Sequence, residues 1–370
     1  MSFAPPRDDA GRRDWLRLIR SEGVGPRGFQ RLAERFASPA EALAALPEIA
    51  PRVRLASAQE AERELEAGAG AGARLVCFGE AAYPPALADI PDPPPVFWTL
   101  GEPGLALRPC VAIVGARNAS AAGARFAAEL ARGLGEAGWV VVSGLARGVD
   151  AAAHGAALAT GTVAVHAGGV DVVYPPQHAA LAERIAGTGL RMSERPMGEQ
   201  PTERSFPRRN RIVSGLSRGV VLVEAAERSG SLITARMAAE QGREVMATPG
   251  APSDPRAAGC NALIRDGAAL IRGAADVLEA LGPALAPPRA ARPLRPASSP
   301  SRPSAAGLPD APPDGPPAAR VAALLSAAPV SFDALAAAAG LQAADLAAAL
   351  SELELDGLID RRPGDLIALA

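Results

Sequence analysis

Between positions 108 and 282, short apolar runs rich in β-branched residues alternate with amphipathic stretches of helical spacing. Continuously apolar runs of this kind are typical of strands buried on both faces of a parallel sheet. The predicted strands are VAIVG (111–115), WVVVSG (139–144), TVAVHAGG (162–169), LRMSE (190–194), GVVLVEA (219–225), REVMATPG (243–250) and AALI (268–271). The stretches between them, such as 126–134 and 232–241, predict helices. The pattern therefore indicates an α/β fold with an extended, Rossmann-like open parallel sheet.

The first 70 residues predict a small helical domain around the segment GVGPRG, 23–28. Apolar residues at helical spacing lie on both sides of this segment, so two helices joined by a Gly-Pro hairpin are expected. Such a hairpin either presents backbone N–H groups to a phosphate or is a tight turn that serves packing alone.

The end of the chain predicts a linker and a compact tail. Residues 283–317 are dominated by Pro, Ala, Ser and Arg, a composition that does not bury a core. A helix over about 318–327, a second between Ser331 and Gly340, a third over 343–355 and a final hairpin together predict a winged helix. The predicted domains are thus 1–70, 71–282 and 318–370, with 283–317 as the linker.

Composition narrows the candidate chemistry. The chain has a net charge of −2 and contains no lysine, which excludes Schiff-base chemistry and a phosphate-binding lysine of the Walker type. Three dispersed cysteines and three dispersed histidines do not predict a metal site. No signal peptide and no membrane-spanning run is apparent, so a soluble cytoplasmic protein without membrane contact is expected.

Small residues and arginines follow the ends of several predicted strands. Glycine at these ends lets the backbone approach an anion, and the following helix N-terminus favours negative charge; alternatively, the glycines only permit tight turns. Several such ends in one sheet favour an anion site, although neither a dinucleotide fingerprint nor a Walker loop is present. The candidate residues at these ends are Gly115, Ala116, Arg117, Ser143, Gly144, Arg147, Gly148, Gly168 and Gly169.

A basic segment with one aromatic residue, SFPRRNR (205–211), is the second candidate feature. Guanidinium groups suit phosphates, and a ring can stack on a base, which together favour single-strand binding; the alternative is a solvated loop with the ring in the core. Asn210 binds a base edge or caps the following helix, and Ser231 is a helix N-cap or a phosphate ligand. The candidates here are Arg204, Phe206, Arg208, Arg209, Asn210, Arg211 and Ser231.

An enzyme is the chief alternative, specifically a nucleotide-processing hydrolase that acts on nucleoside monophosphates. Asp150 and His154 are four residues apart, and Ser143 ends the preceding strand. However, VVSGLA lacks the glycine two residues before the serine that a nucleophile elbow requires. Asp150 is instead expected to cap a helix, and both residues are assigned a structural or ligand-orienting role. No catalytic residue, metal or cofactor is assigned.

Together, these segments resemble the DprA/Smf family of bacterial DNA-processing proteins. The matching strings include VAIVGARNAS, VVSGLARGVDAAAH, YPPQHAALAERI, SFPRRNRIVSGLS and GSLITARMAAEQGREVMATPG. The resemblance implies a three-part layout with a helical (SAM or helix-hairpin-helix-like) head, single-stranded DNA as ligand and a homodimer. It also implies delivery of DNA to a RecA-type recombinase in natural transformation.

The family's Gly-Ser/Thr-Arg turn falls on Gly115, Ala116 and Arg117, where Ala116 departs from the usual hydroxyl residue. Because the chain lacks lysine, Arg204 is the expected substitute for a family lysine near the pocket. The third tail helix is acidic, whereas a helix that enters a major groove is basic. The tail is therefore expected to contact protein or to have a weak accessory role.

Overall fold

A computed structural model describes residues 3–282, 316–325, 329–356, 358–362 and 366–369. Four helices form the N-terminal domain: α1 Asp9–Arg20, α2 Pro26–Arg35, α3 Pro39–Ile49 and α4 Ala58–Gly70. The side chain of Asp8 caps α1, and the ring centroids of Trp15 and Phe29 lie 5.0 Å apart in the core between α1 and α2. The predicted helical hairpin is confirmed.

The central domain is built on one mixed sheet. In the described part of the chain its strands are β1 Arg74–Cys77, β2 Val96–Gly101, β3 Cys110–Gly115, β4 Val140–Ser143, β5 Thr162–Val165, β6 Leu190–Ser193, β7 Gly219–Val223, β8 Glu244–Ala247 and β9 Ala269–Leu270. Their order is β1-β2-β6-β5-β4-β3-β7-β8-β9. Strands β3 to β9 pair in parallel, which confirms the predicted sheet, and their bounds lie within or one residue beyond the predicted runs.

Strands β1 and β2 were not predicted. Strand β2 runs antiparallel to both of its neighbours, β1 and β6, so the open sheet is not purely parallel. Strand β1 has four residues and β2 follows the proline-rich stretch 91–95, and both features weaken a strand signal.

Helices cover both faces of this sheet. They are α5 Pro85–Ala88, α6 Ala121–Glu136, α7 Val149–Ala157, α8 Ala179–Thr188, α9 Ser205–Leu216, α10 Gly230–Glu240, α11 Ala258–Arg265 and α12 Ala274–Leu281, with 3₁₀ turns at Pro103–Leu107 and Pro176–His178. Alternate residues of β3 face opposite layers: Val111 and Ile113 pack with α6 and α7, whereas Ala112 and Val114 pack with α9 and α10. Burial on both faces explains the continuously apolar strand sequences.

The C-terminal domain contains α13 Pro317–Leu324, α14 Phe332–Ala339 and α15 Ala343–Leu355, with β10 Val330–Ser331, β11 Ile359–Arg362 and β12 Leu366–Leu369. Ser331 caps α14 by accepting from the Ala334 amide, and Gly340 ends it with a φ of 61°. The three-stranded order β10-β12-β11 completes the predicted winged helix. The linker predicted at 283–317 lies outside the described residues, except for its last two positions.

Candidate functional site

A cleft of about 610 Å³ opens where β3 and β4 end, between α9 and the N-terminus of α10. This position is adjacent to the point where the strand order reverses, because β3 lies between β4 and β7. Its described lining includes four arginines and one carboxylate: Arg117, Arg209, Arg228, Arg256 and Asp150. The cleft is therefore a local cationic site in a chain of nearly neutral charge.

Glycine is required at positions 115 and 144, at the mouth of the cleft, for two different structural reasons. A Cβ on Gly115 would overlap the carbonyl oxygen of Val223 on the neighbouring strand, so the close pairing of β3 and β7 requires glycine there. A Cβ on Gly144 would overlap the guanidinium group of Arg209. Glycine at 144 therefore leaves the space in which this cation lies.

Arg209 forms the floor of the cleft and is 7% exposed. Its Nη1 donates to the carbonyl oxygens of Gly144, at 2.5 Å, and Val165, and its Nε donates to Asn210 Oδ1 at 3.2 Å. Burial lowers the pKa of Arg209 to about 10, while Asp150 opposes that shift. The group therefore stays cationic at neutral pH and is held in one place by backbone acceptors.

Asp150 organises the turn after β4. Its carboxylate accepts from the backbone amides of Gly144, at 3.0 Å, and Ala146, at 3.2 Å. Burial raises the pKa of this carboxyl, and the nearby Arg209 limits the rise. The expected helix cap at Asp150 is wrong, because residue 148 occupies the N-cap position of α7 and the carboxylate reaches back to the preceding turn instead.

The hydrolase alternative gains no support from the residues that suggested it. His154 is fully buried and its Nδ1 lies 2.7 Å from Thr162 Oγ1, while Ser143 Oγ donates to the Ile113 carbonyl oxygen at 2.7 Å. Burial lowers the pKa of His154 to about 3. The hydrogen bond of the His154 side chain thus goes to Thr162 and not to Asp150 or Ser143, so the three residues do not form a triad.

An aromatic and cationic stack lies at the cleft wall. The guanidinium carbon of Arg117 lies 5.1 Å from the Phe206 ring centroid, and the Tyr174 ring lies 5.5 Å from Phe206 on centroids. Tyr174 is 48% exposed, so its ring is accessible to a ligand. Tyr174 was not predicted to have a role, although it is the first residue of the YPPQH string.

Arg211 does not serve the cleft, in contrast to the expectation. Its side chain is 9% exposed and forms ion pairs with Glu194 and, at 3.6 Å, with Asp92. Arg204 and Arg208 are exposed but do not line the cleft, and the same holds for Arg147. The basic segment therefore contributes Phe206, Arg209 and Asn210 to the cleft.

The glycines after β5 are also placed elsewhere. A Cβ on Gly168 would overlap the Glu199 carbonyl oxygen, and one on Gly169 would meet Pro196, because the segment 196–201 covers both. Gly148 has a φ of 73° and packs on the Ala116 carbonyl oxygen, so it permits a turn and does not line the cleft. These three glycines serve packing.

The helix N-terminus that faces the cleft belongs to α10. Ser229 caps it by accepting from the Ser231 amide at 3.3 Å, and both residues line the cleft. Ala116 and Asn118 line the opposite side. The positive end of the helix adds to the arginines in favouring an anion. Arg228 and Arg256 were missed, and the ERSGS and DPRAAG strings that contain them follow no anion-binding motif.

Metal ligands and membrane-spanning helices are not indicated by the described residues. Within those ranges, no group of three or more His, Cys, Asp or Glu side chains is arranged to hold a metal ion. In the same part of the chain, no single helix is long and apolar enough to cross a membrane; α14 and α15 pass on length and composition only when taken together, and they are bent by 104°.

Comparison with known proteins covers all three domains. A model of the family described as DNA recombination-mediator protein A matches residues 74–282, more than half of the chain. Models described as the DprA-like N-terminal HHH domain and the DprA winged helix domain match residues 9–67 and 302–365.

Similar sequences come from several bacteria. Protein Smf of Synechocystis is 43% identical over 206 residues, which cover 54% of this chain and 52% of that protein. The DNA processing protein DprA of Streptococcus pneumoniae is 46% identical over 198 residues, covering 53% of this chain and 70% of that protein. The matched stretch thus spans about half the length of the Synechocystis protein.

Two solved structures share the fold. The X-ray structure of DprA from Streptococcus pneumoniae matches with a TM-score of 0.62 and 33% identity, over 72% of this chain and 96% of that one. DNA processing protein A from Helicobacter pylori, whose structure is described with its single-stranded DNA binding mode, matches with a TM-score of 0.52 and 30% identity, over 56% and 95%. The chain belongs to the DprA/Smf family of DNA recombination-mediator proteins.

Proposed function

We propose that this protein binds single-stranded DNA in the cationic cleft, without enzymatic activity, and passes the strand to a RecA-type recombinase. The observation that carries the proposal is the placement of Arg117, Arg209 and Phe206 in one cleft at the strand ends, with the Tyr174 ring beside Phe206. Phosphates need cations and helix N-termini, and unpaired bases need exposed rings.

Each part of the cleft has a role in this proposal. Arg209 gives a fixed charge beneath the sugar–phosphate backbone, and Arg117 and Arg228 neutralise phosphates from the rim, where both are exposed. Tyr174 offers a base its accessible ring, supported from behind by Phe206. Since phosphate contacts carry no sequence information, binding is expected to tolerate any sequence.

The relatives support the ligand and the wider role. The Helicobacter pylori protein is described as binding single-stranded DNA, and the matching family is described as recombination mediators. The proposal also includes two protein partners. One is the recombinase that receives the strand, and the other is a second copy of this chain, since a homodimer would bring two clefts to one strand.

Fluorescence anisotropy with oligo-dT of several lengths tests the proposal. Arg117→Ala is expected to weaken binding to all sequences alike. The matched control is Arg132→Ala, which removes an exposed arginine in the C-terminal part of α6. A double-stranded probe in the same titration is expected to bind more weakly. Equal affinity of wild type and Arg117→Ala for oligo-dT would overturn the assignment of the cleft.

Release of free base from nucleoside monophosphates serves as the enzymatic test. The proposal expects no turnover above a blank without protein. Turnover that depends on the cleft residues would replace the binding role with the hydrolase alternative.

A further inference from the structure

The winged helix domain is docked against the rim of the cleft, and one cleft residue holds it there. Arg256 lines the cleft, yet its Nη1 donates to the Ala323 carbonyl oxygen at 2.9 Å and its Nη2 donates to that of Leu325. Both acceptors lie at the C-terminal end of α13, where helix carbonyls lack intrahelical partners and the dipole is negative. Arg256 therefore caps a helix of another domain.

A second contact joins the same two domains. Ala121, the first residue of α6, is 3% exposed and belongs to the buried apolar cluster that includes Val321 and Leu335 of the winged domain. Ser120, just before it, accepts the cap hydrogen bond of α6 from the Gly123 amide. The winged domain thus rests on the start of α6 and on Arg256, beside the cleft.

We propose that single-stranded DNA in the cleft binds the Arg256 side chain and thereby releases the winged domain from its docked position. We call the docked arrangement, in which Arg256 holds the end of α13, the latch. The inference rests on the proposed function, since it requires DNA in the cleft. In the latched state the guanidinium is occupied: besides the two carbonyls, its Nε donates to Asp254 Oδ1 at 3.1 Å and its Nη2 to Asp254 Oδ2 at 3.4 Å. With most of its five N–H groups engaged, Arg256 has little capacity left for a phosphate.

A DNA phosphate and the carbonyl oxygens at the end of α13 compete for Arg256, and the phosphate is the stronger acceptor. A phosphate oxygen is anionic, so its hydrogen bond with the guanidinium joins two charged groups and is stronger than the bond to a neutral carbonyl. A strand in the cleft therefore draws Arg256 away from Ala323 and Leu325, and the end of α13 loses its cap. By linkage, the docked winged domain lowers the affinity for DNA by the same factor by which DNA weakens docking.

The latch is consistent with the acidic surface of the winged domain. Asp345 and Glu352 of α15 and Asp356 directly after it are exposed, so this part of the domain presents an acidic face that is unsuited to DNA. A domain that does not bind the strand itself still affects binding if its position depends on a residue of the cleft.

Hydrogen exchange on the full chain tests the latch. Saturating oligo-dT is expected to slow exchange at 229–234, in the cleft, and to accelerate it at 317–325. Arg256→Ala is expected to accelerate exchange at 317–325 without DNA, and oligo-dT then adds no further increase there. The matched variant Arg228→Ala removes another cleft arginine and is expected to leave exchange at 317–325 in the free protein unchanged.

A variant outside the cleft gives the reciprocal test. Ala121→Gln introduces a long neutral side chain into the docking contact and adds no charge near the DNA, so it is expected to tighten oligo-dT binding by on the order of fivefold. Ala121→Ser, which is small enough to fit, is the control. Exchange in β3 and β4 reports whether the core of each variant is folded.

The outcomes separate the latch from the proposed function. Oligo-dT binding by the wild type with unchanged or slower exchange at 317–325 overturns the latch alone, as does unaltered affinity in a folded Ala121→Gln. Failure of the wild type to bind oligo-dT overturns the proposed function and the latch with it.

Discussion

The guanidinium group of Arg209 lies where a side chain on residue 144 would be, and its Nη1 donates to the Gly144 carbonyl oxygen at 2.5 Å. The cation at the floor of the cleft and the glycine at the end of β4 therefore depend on each other. Position 144 therefore requires glycine to leave space for the arginine at 209. From the sequence alone, Gly144 is indistinguishable from a glycine in any tight turn.

Gly144→Ala is the first prediction from this relationship. The added methyl group overlaps the Arg209 guanidinium, so we expect a loss of about 1–3 kcal/mol in the free energy of unfolding and weaker oligo-dT binding. Urea unfolding and anisotropy measure the two effects. Gly155→Ala is the control, because Gly155 is an exposed helical residue whose Cβ would meet open space. If Gly144→Ala were as stable and bound as tightly as Gly155→Ala, the role of Gly144 would be contradicted.

Arg211 is predicted to support stability and not to bind DNA. Arg211→Ala leaves the Glu194 and Asp92 carboxylates without their cation, at a cost of about 3 kcal/mol for a largely buried pair. Oligo-dT affinity per folded molecule is expected to stay near that of the wild type. Arg208→Ala, which removes an exposed arginine of the same helix, is expected to be nearly neutral for stability. If Arg211→Ala instead weakened binding with unchanged stability, Arg211 would belong to the cleft.

Tyr174 is predicted to stack on a base. Removal of the ring in Tyr174→Ala is expected to weaken oligo-dT binding by about 1–3 kcal/mol, whereas Tyr174→Phe keeps the ring and is expected to bind as the wild type does. Anisotropy compares the three proteins. Equal loss in both variants would mean that the hydroxyl group is the functional part.

Buried histidines predict a loss of stability in acid. Burial lowers the pKa of His154 to about 3 and that of His166 to about 3, far below 6.5. The unfolded chain therefore binds more protons between pH 6.5 and 3, so stability is fully present above pH 6.5 and falls as the pH drops through this window. Each group adds a slope of about 1.4 kcal/mol per pH unit in the middle of the window.

His154→Gln tests that assignment. The variant is expected to lose about 1 kcal/mol per pH unit from the slope of stability against pH between 4.5 and 5.5, measured by urea unfolding at several pH values. An unchanged slope would mean that His154 is accessible to protons in the folded state.

The sequence predicted the sheet well because burial on both faces imposes continuous apolar runs. It predicted the cleft less well, because neighbours in sequence diverge in space. Arg209 and Arg211 are two residues apart on α9, so they point in different directions, and only Arg209 reaches the cleft. Arg211 forms ion pairs with Glu194 and Asp92, which are distant from it in sequence.

Glycines gave a similarly ambiguous signal. Gly168 and Gly169 follow a strand as Gly144 does, but the segment 196–201 folds over them, and no local pattern indicates that cover. Tyr174 and Arg256 were missed because no local sequence pattern marks them, although both lie at the site. Each lies in an irregular segment, and only the tertiary fold brings Arg256 to the cleft and Tyr174 to Phe206 at its wall.

The salt dependence of oligo-dT affinity tests the central claim most directly, namely that the cleft arginines neutralise DNA phosphates. With three or four phosphates neutralised, the logarithm of affinity is expected to fall against the logarithm of salt with a slope of about −2 to −3, and Arg117→Ala is expected to reduce its magnitude by about 0.7. A flat response in the wild type, or an identical slope in Arg117→Ala, would contradict the account.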